Sequence, residues 1–115
     1  MVLGTTLIKM PLWQGNYYLK ASGAMAEKEW IFDKGYNSWF YLKSGGAYAA
    51  HEWIGSYYLK SDGYMAKSEW IDDSYYNARY YVDENGVYVT GTRKIDGKAH
   101  QFQSNGKWIG EVPVS

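Results

Sequence analysis

Trp13-Gln14-Gly15-Asn16-Tyr17-Tyr18-Leu19-Lys20 recurs 40 residues later as Trp53-Ile54-Gly55-Ser56-Tyr57-Tyr58-Leu59-Lys60, and this repetition decides the fold. Further along, Gly23-Ala24-Met25-Ala26 lies over Gly63-Tyr64-Met65-Ala66, and Glu29-Trp30-Ile31 over Glu69-Trp70-Ile71. Tyr41 and Tyr81, Gly46 and Gly86, and Tyr48 and Tyr88 continue the match. Trp13, Trp30, Trp53 and Trp70 are 17, 23 and 17 residues apart, and a further step of 23 falls on Arg93. The period is therefore a short unit plus a long one. The units are read as 13–29, 30–52, 53–69, 70–92 and 93–110, with 1–12 as an N-terminal cap or partial repeat and 111–115 as a tail or linker.

Each unit has one plan: Trp with a branched residue, a turn, then an aromatic strand and a Gly-containing link. In the short units Gly15-Asn16 and Gly55-Ser56 have the composition of a two-residue hairpin turn. In the long units the turn expands to 32–38 and 72–78. Trp39-Phe40-Tyr41-Leu42 carries the aromatic and branched residues that favour sheets. Ser44-Gly45-Gly46, Ser61-Asp62-Gly63 and Glu84-Asn85-Gly86 mark turns that call for positive φ. Helical periodicity is lacking throughout. A lone hairpin is marginal in water, but stacked hairpins bury each other's aromatic faces. The expected fold is all-β, a repeat solenoid of stacked β-hairpins with an atypical last unit, in which His100-Gln101-Phe102 replaces Tyr-Tyr-Leu.

Composition fits that plan. Leu, Ile, Val and Phe supply only 21 of the 115 residues, whereas 13 Tyr and 6 Trp supply large burial per residue. The formal net charge is zero and the pI is 6.7, which removes the electrostatic reason to expect nucleic acid. No cysteine is present, so neither a disulfide framework nor thiolate chemistry is available. No apolar run approaches the roughly 18 residues of a membrane span, so no membrane insertion is expected. The first residues lack a basic n-region and a small-residue cleavage site, and the chain reads as a piece of a larger protein.

With its repeat written out, the sequence resembles the choline-binding repeats of pneumococcal and related Gram-positive surface proteins. Trp39-Phe40-Tyr41-Leu42, Tyr57-Tyr58-Leu59, Gly63-Tyr64-Met65 and Trp70 carry the resemblance. It departs from the commonest form where Glu29, Glu52 and Glu69 precede a Trp, and its alternating long and short units look like a variant found in some wall hydrolases and adhesins. The resemblance implies hairpins wound into a left-handed β-superhelix, located extracellularly on the bacterial cell wall. Choline or phosphocholine of teichoic acids would sit between consecutive hairpins. Three choline-binding boxes are implied: Trp30 and Trp39 with Tyr58, and Tyr48 nearby; Trp53 with Tyr57 and Tyr81, near Met65; Trp13 with Tyr17 and Tyr41, near Met25. Asn16 and Ser56 stand at the place of Trp39 in the short units, leaving their boxes without a second wall. A trimethylammonium donates no hydrogen bond and is weakly hydrated, so aromatic faces suit it, at roughly 0.5–2 kcal/mol per contact.

The remaining residues argue for packing rather than chemistry. Phe40 and Tyr80 are expected in the core, since alternation turns them away from Trp39 and Tyr41. Met25 and Met65 are read as packing rather than as ligand wall, since Met fills irregular gaps between aromatics. Glu29, Glu52 and Glu69 recur at one repeat position, as structural residues do and catalytic ones do not. His51 and His100 lack a third metal ligand at sensible spacing. No phosphate loop, nucleophile elbow or triad is present, so neither cofactor nor catalysis is expected. Lys20, Lys43 and Lys60 share a position before the turn and read as solvated charge. Arg79 takes the place of Trp39, and Arg93 that of an opening Trp. A guanidinium there adds like charge or lies flat on Trp70 or Tyr81, so the interface between the fourth and fifth units is expected to hold no choline. Two other functions stay open: a glucan- or carbohydrate-binding repeat module, and a protein–protein adhesin whose aromatics are only structural.

Overall fold

In a computed structural model of the chain, which describes residues 11–113, each strand pairs with its neighbour in sequence. β1 (Leu12–Gln14) pairs with β2 (Tyr17–Leu19), and β3 (Glu29–Asp33) with β4 (Ser38–Leu42). β5 (Glu52–Ile54) pairs with β6 (Tyr57–Leu59), and β7 (Glu69–Asp73) with β8 (Ala78–Val82). The fifth unit is a three-stranded sheet of order β11-β10-β9, from β9 (Gly91–Ile95), β10 (Lys98–Phe102) and β11 (Trp108–Glu111). No helix occurs among the described residues.

The turns explain the alternation of long and short units. Gly15 and Gly55 both have φ of 61°, which a two-residue turn needs at its first central position and glycine adopts without strain. In the long units a carboxylate organises the turn instead. Asp33 Oδ1 accepts the N–H groups of Gly35 and Tyr36 at 2.8 and 3.3 Å, and Asp73 Oδ1 those of Tyr75 and Tyr76 at 2.9 and 3.2 Å.

Hairpins are tied to their neighbours at recurring points. The N–H groups of Tyr48, Met65 and Tyr88 donate to the carbonyls of Asn16, Trp39 and Ser56 at 3.1–3.2 Å. The segment after one hairpin thus grips the turn side of the hairpin before it, as a solenoid requires. The molecule is accordingly elongated, 74 × 25 × 18 Å. Its core is divided along that length: Tyr18, Ala26 and Leu42; then Tyr58, Ala66, Ile71, Tyr80 and Val82; then Val89, Ile95 and Phe102.

Two expectations change here. Glu111, read as the first tail residue, pairs with His100 inside β11, which extends the last hairpin into a three-stranded sheet. Lys20, Lys43 and Lys60, read as solvated charges, each bind the glutamate before the next Trp: Glu29 at 3.2 Å, Glu52 at 3.0 Å and Glu69 at 3.3 Å. With side chains a third or more exposed, such pairs contribute at most about 1 kcal/mol each. They account for the recurring carboxylates. Of the reading of 1–12 as a cap, residues 1–10 lie outside the described residues, while Leu12 is in β1 opposite Leu19.

Candidate functional site

Strand alternation sorts the aromatic residues into two sets. Trp13, Trp30, Trp53 and Trp70 lie across from Tyr18, Tyr41, Tyr58 and Tyr81 of their own hairpins, with centroids 5.0–5.2 Å apart. The residue before each of the last three tyrosines turns to the other face and meets the Trp of the preceding hairpin. Phe40 lies 5.0 Å from Trp13, Tyr57 5.4 Å from Trp30, and Tyr80 5.0 Å from Trp53. His100 completes the series at 5.0 Å from Trp70.

Between the second and third hairpins this arrangement leaves a cavity of about 350 Å³ lined by Trp30, Trp39, Tyr57, Met65 and Asn85. Trp39 is 42% exposed and is backed by its cross-strand partner Phe32, 5.4 Å away. Met65 is fixed by its N–H, which donates to the Trp39 carbonyl and, at 3.3 Å, to Ser38 Oγ. From beyond, Gly86 leaves room for it: a Cβ there would come within 2.8 Å of Met65 Cε. None of the five lining side chains is charged. Three aromatic rings and a thioether offer a weakly hydrated cation π-faces and polarisable contacts. A sugar ring would find few groups to satisfy its hydroxyls there, and an anion would find no counter-charge.

Two further cavities occupy the corresponding places but have a different character. One, of about 320 Å³, includes Trp13, Tyr36, Phe40, Tyr48, Asp62 and Tyr64; the other, of about 350 Å³, includes Trp53, Tyr76, Tyr80, Tyr88, Asn105 and Lys107. Gly15 and Gly55 line them where a second Trp is missing. Their tryptophans are also held by half-buried hydrogen bonds. Trp13 Nε1 donates to Asp33 Oδ2 at 2.7 Å, and Trp53 Nε1 to Asp73 Oδ2 at 2.8 Å.

The expected boxes are regrouped accordingly. Trp30 and Trp39 come together as expected, but with Tyr57 and Met65. Tyr58 is instead 8% exposed against Trp53, because it lies opposite that residue in its own hairpin. Tyr48 belongs to the Trp13 cavity, at 6.0 Å from that ring. Tyr57 and Met65 do not join Trp53, and Tyr81 stays with Trp70. Tyr41 lies against Trp30 rather than Trp13. Tyr17 and Met25 come together beside Gly46, outside the Trp13 cavity. Phe40 and Tyr80 are buried as expected.

In the last unit Thr92, not Arg93, lies opposite Gln101 and so holds the opening-Trp place; Arg93 pairs with Glu84 at 3.6 Å. Trp108 falls outside the 40-residue period, yet it follows Ser104-Asn105-Gly106 as Met65 follows Ser61-Asp62-Gly63. Asp33 and Asp73 share the 40-residue period but read from sequence as ordinary turn residues, and Asn85 has Gly45 one period earlier.

The chain is similar to known proteins in both sequence and fold. Residues 47–88 match the family described as choline-binding repeat. A Streptococcus pneumoniae protein named as an endo-beta-N-acetylglucosaminidase is 51% identical over 42 residues, 36% of this chain and 6% of that protein. The modular autolysin LytC from Streptococcus pneumoniae superposes with a TM-score of 0.83 at 44% identity, over 86% of this chain and 23% of LytC. The choline-binding domain of CbpL from the same organism gives 0.79 at 47% identity, over 86% of this chain and 53% of that domain's chain. The chain thus spans a small part of the curated relative's length and about half or less of the solved ones.

Proposed function

We propose that this chain, whose residues 47–88 match the choline-binding repeat family, is a non-catalytic attachment module for bacterial cell walls. Its ligand is choline, or phosphocholine, on teichoic acids, and its place is the extracellular face of the wall. The box of Trp30, Trp39, Tyr57 and Met65 carries the reading. It is uncharged and aromatic on three sides, and it lies between consecutive hairpins. A quaternary ammonium entering it exchanges loose hydration for ring faces, and the open edge at Trp39 lets the phosphate remain in water. The carboxylates that recur beside the tryptophans are engaged in ion pairs with Lys20, Lys43 and Lys60, so we assign the chain no chemistry of its own.

Titration calorimetry with choline chloride and, separately, with glucan oligosaccharides tests this. A small cation buries little area, so choline should bind with Kd on the order of millimolar. Trp39→Ala should abolish that heat while the hairpins stay folded. Binding of glucan with no response to choline would replace this reading by a carbohydrate-binding one.

A further inference from the structure

The arrangement of the Trp30 box recurs between the fourth and fifth hairpins with one change of kind. Trp70, His100 and Trp108 stand where Trp30, Tyr57 and Met65 stand. His100 lies 5.0 Å from Trp70, Trp108 lies 6.0 Å from it, and Trp108 Nε1 donates to His100 Nδ1 at 3.1 Å. At the place of Trp39 is Arg79, and at the place of its cross-strand partner Phe32 is Asp72. An aromatic pair has been replaced by an ion pair, in register.

The arginine does not point away. Its Cζ is 5.3 Å from the centroid of Trp70 and 5.6 Å from that of Trp108. Its Nε donates to Asp72 Oδ1 at 2.8 Å and its Nη2 to Oδ2 at 3.4 Å. This hydrogen bond holds the Asp72 carboxyl below the usual carboxylate range. Both partners are substantially exposed, 45% and 71%, so the ion pair alone gives little fixation. The two indoles supply the rest: a planar guanidinium lies on ring faces as a cation should.

We propose that this interface is a ligand box occupied by the protein's own cation, with Arg79 standing where a quaternary ammonium would stand and Asp72 keeping it there. The inference rests on the choline reading of the Trp30 box. Arg79 is tethered, so an entering choline would displace a resident cation present at high effective concentration and would meet its charge. The pair Asp72/Arg79 against Phe32/Trp39 is then the determinant that decides which interfaces take ligand. The Trp70–Arg79–Trp108 contact serves to clamp the last hairpin onto the stack.

Indole N–H resonances of the native chain during a choline titration provide the test, beside the double variant Asp72→Phe/Arg79→Trp. In the native protein the Trp30 and Trp39 signals should move while Trp70 and Trp108 stay still. In the double variant Trp70 and Trp108 should respond as well, and one more choline should bind per chain. Movement of native Trp70 and Trp108 at the same choline concentrations would overturn the proposal, as would their silence in a folded double variant. If the variant does not fold, the Arg79 Nε–H signal of the native protein decides. It should carry a ring-current shift that saturating choline leaves intact; loss of that shift would mean that choline displaces the arginine. Silence of native Trp30 and Trp39 would strike the choline box itself, while Trp70 and Trp108 of the variant would still report on Arg79.

Discussion

The indole of Trp30 meets the ring of Tyr57, from the next hairpin, at 5.4 Å between centroids and 73° between planes. Tyr58, one residue on, lies 5.0 Å from Trp53 of its own hairpin. Two adjacent tyrosines therefore serve opposite faces, one bounding a cavity and the other filling a core.

Their substitutions should separate accordingly. Tyr57→Ala is expected to weaken choline binding by about tenfold, the size of one cation–π wall, with the urea midpoint little changed. Tyr58→Ala empties a buried site and should cost about 3 kcal/mol of stability. Calorimetry and urea unfolding of the two variants check this; the reverse ranking would reassign the box.

Gly86 and Gly45 form a matched pair. Both have positive φ, 88° and 93°, but a Cβ at Gly86 would collide with Met65 while one at Gly45 meets nothing within 4 Å. Alanine at either should cost about 1–3 kcal/mol in backbone strain. Only Gly86→Ala should also displace Met65 and lower choline affinity. Equal affinities in the two variants would show that Met65 is no wall.

Asp73 is 8% exposed and accepts the Trp53 indole N–H as well as two turn amides. Asp73→Ala should destabilise the stack by about 1–3 kcal/mol, since the half-buried Trp53 indole N–H and two turn amides lose their acceptor. Binding at the Trp30 box, one hairpin away, should be unaffected. Urea unfolding together with choline titration tests both halves.

Much of this was legible in the sequence. The spacing of Trp13, Trp30, Trp53 and Trp70 and the glycines at 15 and 55 fix the hairpins, because each hairpin is local. Which ring meets which Trp across hairpins is not local. It depends on the direction of stacking, and a one-residue error exchanges Tyr57 for Tyr58 because the side-chain period is 2. Trp108 was hidden for a related reason: the longer final hairpin places it 43 residues after Met65, not 40. Asp33 and Asp73 look like ordinary turn residues until their indole partners, 20 residues earlier, are brought to them.

Alkaline pH should unfold the stack through its phenols. Burial raises the pKa of Tyr18, Tyr58, Tyr80 and Tyr81, and nearby carboxylates raise it further. Unfolded phenols ionise near pH 10, before the folded ones do. The folded state then holds more protons, so stability is intact below about pH 10 and falls as pH rises through the folded values. A falling urea midpoint, concurrent with tyrosinate absorbance from the core, is expected. Ionisation of these four without loss of stability would contradict it.

A crystal of the chain soaked in choline tests the central claim most directly. An ordered trimethylammonium is expected among Trp30, Trp39, Tyr57 and Met65, with ring faces turned toward it. An empty box at saturating choline, in crystals whose lattice leaves Trp39 open, would contradict it.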